Sequence, residues 1–169
     1  MLCRRIPAGS PPGQEALVIE AVPKGIFSSG FHLQQDGRLI ADLDASSWRE
    51  KADVQIGGET FRLYREGMMS GAFILEWNGS TLARAIKPSV FSDRFELEVG
   101  KRAFTLRKES MWARRFGLFE GERHVGRVAP AGTFTPRVVI ELPADWPTSV
   151  QAFVFWLALL MWKRESAGS

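Results

Sequence analysis

A chain of 169 residues, 45% hydrophobic and 24% charged, has the size and composition of one domain with a sizeable core, which excludes global disorder. The formal charge of +3 is too modest to mark a dedicated nucleic-acid binder. The single cysteine, Cys3, excludes an internal disulfide and suits a reducing, cytoplasmic compartment.

Residues 1–15 are rich in Gly, Pro and Ser and read as a flexible tail. Their two arginines precede no apolar run, so no secretory signal is expected there, and Leu2 is not the glycine that myristoylation needs. ALVIEAV at 16–22 reads as a strand. From about residue 31 onward, apolar residues alternate with polar ones between turn signals, which is the pattern of a β protein. Asp36-Gly37 and Asn78-Gly79 are hairpin turns, because a type I′ turn needs positive φ at both central residues. Gly57-Gly58, Val99-Gly100-Lys101 and Glu120-Gly121-Glu122 mark further turns.

A longer period lies beneath the alternation. At an offset of 43 residues Leu39, Leu82 and Val125 correspond, as do Trp48, Phe91 and Phe134, and Val54, Leu97 and Ile140. Glu98 matches Glu141, and Arg84 matches Arg127, a recurrence that points to a structural role for these two arginines in the barrel. Each repeat reads as four short strands, in the second copy about 71–77, 80–86, 94–99 and 102–108. Two four-strand copies, a three-strand copy and the ALVIEAV strand give about twelve. Parity places Phe95, Leu97, Val99, Phe104, Leu106, Val138, Ile140 and Leu142 inside, and Glu96, Glu98, Thr105, Arg107 and Glu141 outside.

Where the third copy should supply its fourth strand, the chain reads VQAFVFWLALLMW (150–162), apolar on every side of a helix. Such a helix lies in a membrane or is wrapped by protein. A run of this length spans about 20 Å, against about 30 Å for a bilayer core. A helix over about 147–163, capped by Asp145 with Pro147 in its first turn, is therefore expected inside a closed antiparallel barrel. The expected fold is all-β with one helix, a barrel of about twelve strands around a buried hydrophobic C-terminal helix, occupying residues 16–165.

That architecture, with the segments GRLIADL, NGSTLARAIKPSVFSDRFELEVG, EGERHVGRVAP and PTSVQAFVFWLALLMWKRE, resembles the tubby C-terminal-like superfamily. The group includes tubby proteins, phospholipid scramblases and LURP-one-related proteins. The resemblance implies a module that associates with lipid or with a protein partner. It does not carry over the family's ligand residues: no Lys-x-Arg pair, cysteine cluster or calcium-type acidic segment occurs here.

No HExxH, CxxC, GxSxG or GxxxxGK[ST] motif is present, and no catalytic residue, metal site or cofactor is expected. His32 is expected on an outward strand position and His124 beside an exposed turn. Charge offers the one positive signal. Residues 101–127 hold eight basic and three acidic groups. Lys101, Arg102, Arg107, Lys108, Arg114, Arg115 and Arg123 are the candidate lipid-binding residues, with Arg127 reserved for the barrel itself. Gathered on one wall, they would meet anionic phospholipid headgroups at a membrane surface. The sequence thus points to a non-enzymatic, cytoplasmic, membrane-peripheral module for lipid or a protein partner. One alternative is a scramblase-like protein whose C-terminal helix inserts into the bilayer. A weaker one is a nucleic-acid binder stacking bases on Trp112 and Phe116, although both aromatics are expected in the core.

Overall fold

A computed structural model of the chain describes residues 17–46, 49–67 and 71–168. The tail and Cys3 lie outside these residues. Twelve strands follow in order: β1 (Leu17–Pro23), β2 (Gly30–Gln35), β3 (Arg38–Ala45), β4 (Lys51–Ile56), β5 (Glu59–Arg65), β6 (Phe73–Trp77), β7 (Ser80–Ile86), β8 (Arg94–Val99), β9 (Arg102–Lys108), β10 (Phe116–Glu120), β11 (Arg123–Pro130) and β12 (Val138–Leu142). Each pairs antiparallel with the next, and β1 closes the barrel on β12 with Ile19 opposite Ile140. Closure removes the unpaired edges that an open sheet of this size would expose. The inward set is as the alternation requires: Phe95, Leu97, Phe104, Leu106, Val138, Ile140 and Leu142 are buried, and Val99 packs against the core.

The repeat is more complete than the sequence suggested. β4 and β8 start 43 residues apart at Lys51 and Arg94, and β5 and β9 start at Glu59 and Arg102. β1 therefore belongs in phase with β5 and β9, so the chain is three four-strand units: β1–β4, β5–β8 and β9–β12. The fourth strand sought after residue 147 is not missing, since each unit begins one strand earlier than expected. Irregularities repeat too. The ladders slip at Leu33/Gln34, Leu75/Glu76 and Leu118/Phe119, once in each unit. Val54, Leu97 and Ile140 occupy equivalent buried positions on β4, β8 and β12.

Hairpin parity gives the barrel two unlike ends. Five two-residue turns, 36–37, 57–58, 78–79, 100–101 and 121–122, close one end together with the link from β12 to the C-terminal helix. Asp36 and Asn78 have φ of 50° and 48°, and the glycines that follow them are also positive, the conformation type I′ turns demand. The connections β1–β2, β3–β4, β5–β6, β7–β8, β9–β10 and β11–β12 are longer, and all lie at the opposite end.

The helix α1 (Thr148–Ala167) starts at the short-turn end and runs to the long-loop end. Ten consecutive residues, Ser149–Ala158, are buried, nearly three turns at 3.6 residues each, so every face is covered. The barrel meets it with aromatic edges. Phe104 meets Trp146 at 4.8 Å near the entry, and Phe31 meets Phe155 at 5.1 Å; Phe116 meets Trp162 at 5.4 Å towards the exit. Two expectations are corrected here. The helix continues four residues past Lys163, because its charged last turn is held outside by ion pairs from Lys108 to Glu165 and from Arg164 to Glu50. Asp145 does not cap it: Pro147 is the N-cap, with no side-chain cap bond, and Asp145 lies 3.9 Å from Arg102 instead.

Candidate functional site

The seven basic residues singled out in the sequence do not form one patch. Lys101 and Arg102 sit at the short-turn end, as does Arg123 at the start of β11. Arg102 donates to Glu120 at 2.8 Å, and Arg123 is paired with the same carboxylate. Those two hydrogen bonds hold the Glu120 carboxyl at about 2. Arg107 lays its guanidinium over the Phe119 ring at 4.2 Å. Lys108, Arg114 and Arg115 lie at the long-loop end, where Lys108 reaches Glu165 and Arg115 lies 3.7 Å from Glu109. Strand β9 separates the two groups by about 20 Å at about 3.3 Å per residue. Arg127 donates to Glu141 at 2.6 Å, which fits the structural role its repetition implied.

What the structure gathers instead is the long-loop end. Its six loops and the last turns of α1 carry eight basic residues against five acidic ones; besides Arg114 and Arg115 the basic ones are Lys24, Arg49, Lys87, Arg137, Lys163 and Arg164. The five short turns and the β12–α1 link carry only Lys101 against Asp36, Glu122 and Asp145. The barrel is electrically polar along its axis.

The same end carries apolar side chains that pack on nothing. Among the described residues, Ile26, Phe27, Val90, Phe91, Met111, Trp112 and Phe134 are between 73% and 101% exposed, and all seven lie in long loops. The exposed bulky residues of the wall, Val18, Leu39 and Ile86, reach no more than 56%. Trp112, expected in the core with Phe116, is thus corrected: Phe116 is buried, but Trp112 stands at a loop tip, 95% exposed. The sequence did carry a signal, since Phe91 and Phe134 fall 43 residues apart in loops rather than in strands. Their counterpart Trp48 lies outside the described residues.

Where α1 leaves the barrel, Glu50 accepts hydrogen bonds from Arg65 at 2.8 Å and Arg164 at 2.5 Å. Burial pushes the Glu50 carboxyl up, but these two hydrogen bonds outweigh it and hold it below the usual carboxylate range. Both guanidiniums also lie over Phe73, at 5.6 and 5.9 Å. Lys87 sits nearby, and burial, followed by the Arg164 charge, pushes its ammonium pKa down. On the neighbouring strand β3, Lys24 bridges Asp44 at 2.9 Å and Asp42 at 3.3 Å, and His32 Nδ1 lies 2.6 Å from Asp42. A lysine ammonium thus occupies the space between the two aspartates where a cation would have to sit.

Elsewhere the wall of β7–β9 has an open hollow of about 250 Å³, lined by Arg84, Glu96, Glu98 and Thr105 among others. No cysteine, serine or histidine lines it. Among the described residues, no group of three His, Cys, Asp or Glu side chains is placed to hold a metal. No protein-family model, curated protein or solved structure matches the chain.

Proposed function

We propose that this protein is a non-enzymatic, lipid-associated module of the tubby-like kind whose long-loop end docks on anionic phospholipid headgroups, peripheral to a membrane. The observation that carries the reading is the axial charge asymmetry of the connections: eight basic against five acidic residues in the long loops and last helix turns, one against three in the short turns and the link to the helix. An anionic surface attracts the first end and repels the second, so charge selects both partner and orientation. Lys87 and Arg114 suit the task, because neither makes an ion pair with a carboxylate among the described residues.

The helix has another duty in this reading. Among the described residues no helix is long and apolar enough to cross a membrane, and α1 fills the barrel, so inserting it in a bilayer would empty the core. One feature favours nucleic acid as a second reading: Trp112 stands exposed beside Arg114 and Arg115. Vesicle flotation decides between them. Binding to phosphatidylserine-containing vesicles is expected, with weak binding to phosphatidylcholine alone and attenuation by moderate salt. Reversal of Lys87, Arg114 and Arg115 to Glu should abolish it, whereas Arg38→Glu with Lys101→Glu at the other end should not. A gel shift with single-stranded nucleic acid and no flotation would support the second reading instead.

A further inference from the structure

We infer that the long-loop end enters the bilayer rather than resting on its headgroups. The apolar tips of four loops insert into the interfacial zone while Lys87 and Arg114, which pair with no carboxylate among the described residues, hold lipid phosphates from the bases of two of those loops. This rests on the lipid-surface reading above and adds apolar contact and penetration to it.

Position around the rim is the first support. Strand order places the β7–β8, β9–β10, β11–β12 and β1–β2 loops side by side, because β12 pairs with β1. The exposed tips Phe91, Trp112, Phe134 and Phe27 therefore form one continuous arc of four neighbouring loops. A scattered set of surface hydrophobics would need no explanation, but an arc confined to one end does.

The second support is how charge and apolar bulk alternate along each loop. Lys24 precedes Ile26-Phe27, Lys87 precedes Val90-Phe91, Arg114-Arg115 follow Met111-Trp112, and Arg137 follows Phe134. In every case the cation lies nearer the strand and the apolar residue nearer the tip. An anionic bilayer is layered in the matching order, phosphates outermost and hydrocarbon beneath, and aromatic side chains favour the boundary between them. The third support is repetition. Phe91 and Phe134 recur at the repeat offset of 43 residues while packing on nothing, so folding does not account for them. Separate tips arrayed around a pseudo-threefold axis suit a laterally uniform, deformable partner. A folded protein or a second copy would instead require one shaped patch.

The test uses the full chain and vesicles of phosphatidylserine and phosphatidylcholine. The variant Phe91→Ser, Trp112→Ser, Phe134→Ser should keep the wild-type melting temperature, since these side chains are exposed, and should lose vesicle binding at least about tenfold. Its remaining binding should stay salt-sensitive, because the cations are intact. A variant that binds as wild type would overturn insertion while leaving the electrostatic reading standing. A wild type that binds no anionic vesicle would overturn both. A lipid-free wild-type dimer that this variant converts to monomer would assign the tips to self-association and overturn the proposal.

Discussion

At the scale of single residues, Glu50 concentrates the polar stability of the helix exit. It joins three separate parts of the chain: its own loop, Arg65 of β5 and Arg164 of α1. Its folded pKa lies below its ordinary 4.5, so its contribution is present in full above that value and is lost as pH falls through the folded one. Glu50→Gln should cost about 1 kcal/mol at neutral pH, after allowing for solvent screening, and should flatten the fall in stability below pH 4.5. Urea melts at pH 7 and pH 3.5 measure both effects, and a variant with an unchanged acid limb would remove Glu50 from this role. Phe73 lies under both guanidiniums and packs on Trp156 at 5.8 Å and Phe95 at 5.1 Å. Phe73→Ala should cost about 3–5 kcal/mol, read from the same melts.

Among elements, strands and helix differ in how openly the sequence announces them. Strands β7, β8 and β9 could be read to the residue, because alternation fixes both faces there and a Gly-containing turn fixes one end of each. β1 was legible as a strand, but its phase was not, since only barrel closure on β12 shows that it opens the first unit. The helix was legible from its unbroken apolarity. Its end was not, because Lys163-Arg164 reads as a return to water, whereas tertiary ion pairs carry the last turn on to Ala167. Its enclosure yields a sharp expectation: Phe155→Asp places an unpaired charge at a fully buried site and should destabilise by more than about 4 kcal/mol. Circular dichroism should show an unfolded or aggregated variant. A folded Phe155→Asp would mean that the helix leaves the barrel readily, as the inserted-helix alternative requires.

For the whole molecule, the decisive property is that its two ends differ, and this was the least legible feature. Residues 101–127 were visibly basic, but antiparallel hairpins send consecutive turns to opposite ends, so a cluster in sequence becomes two groups in space. Conversely, Lys24, Lys87 and Arg137 lie far apart in sequence, yet the up-and-down order sends their loops to one end, and closure of β12 on β1 sets the Arg137 and Lys24 loops side by side. Bulky apolar side chains argue for a core by composition alone, so Trp112 reads as a core residue although it stands exposed at a loop tip. The three-unit repeat explains the polarity economically, since each unit sends its short turns to one end and its longer loops to the other.

Orientation on the membrane is the central claim and can be measured in one experiment. In a Cys3→Ser background, an environment-sensitive fluorophore is attached at Ser89→Cys in the β7–β8 loop, or at Glu122→Cys in the β10–β11 turn, both exposed positions. With phosphatidylserine-containing vesicles carrying a lipid-borne quencher, the Ser89 label should shift to the blue and be quenched, while the Glu122 label remains as in buffer. Equal quenching at both positions, or quenching at Glu122 alone, would contradict docking through the long-loop end.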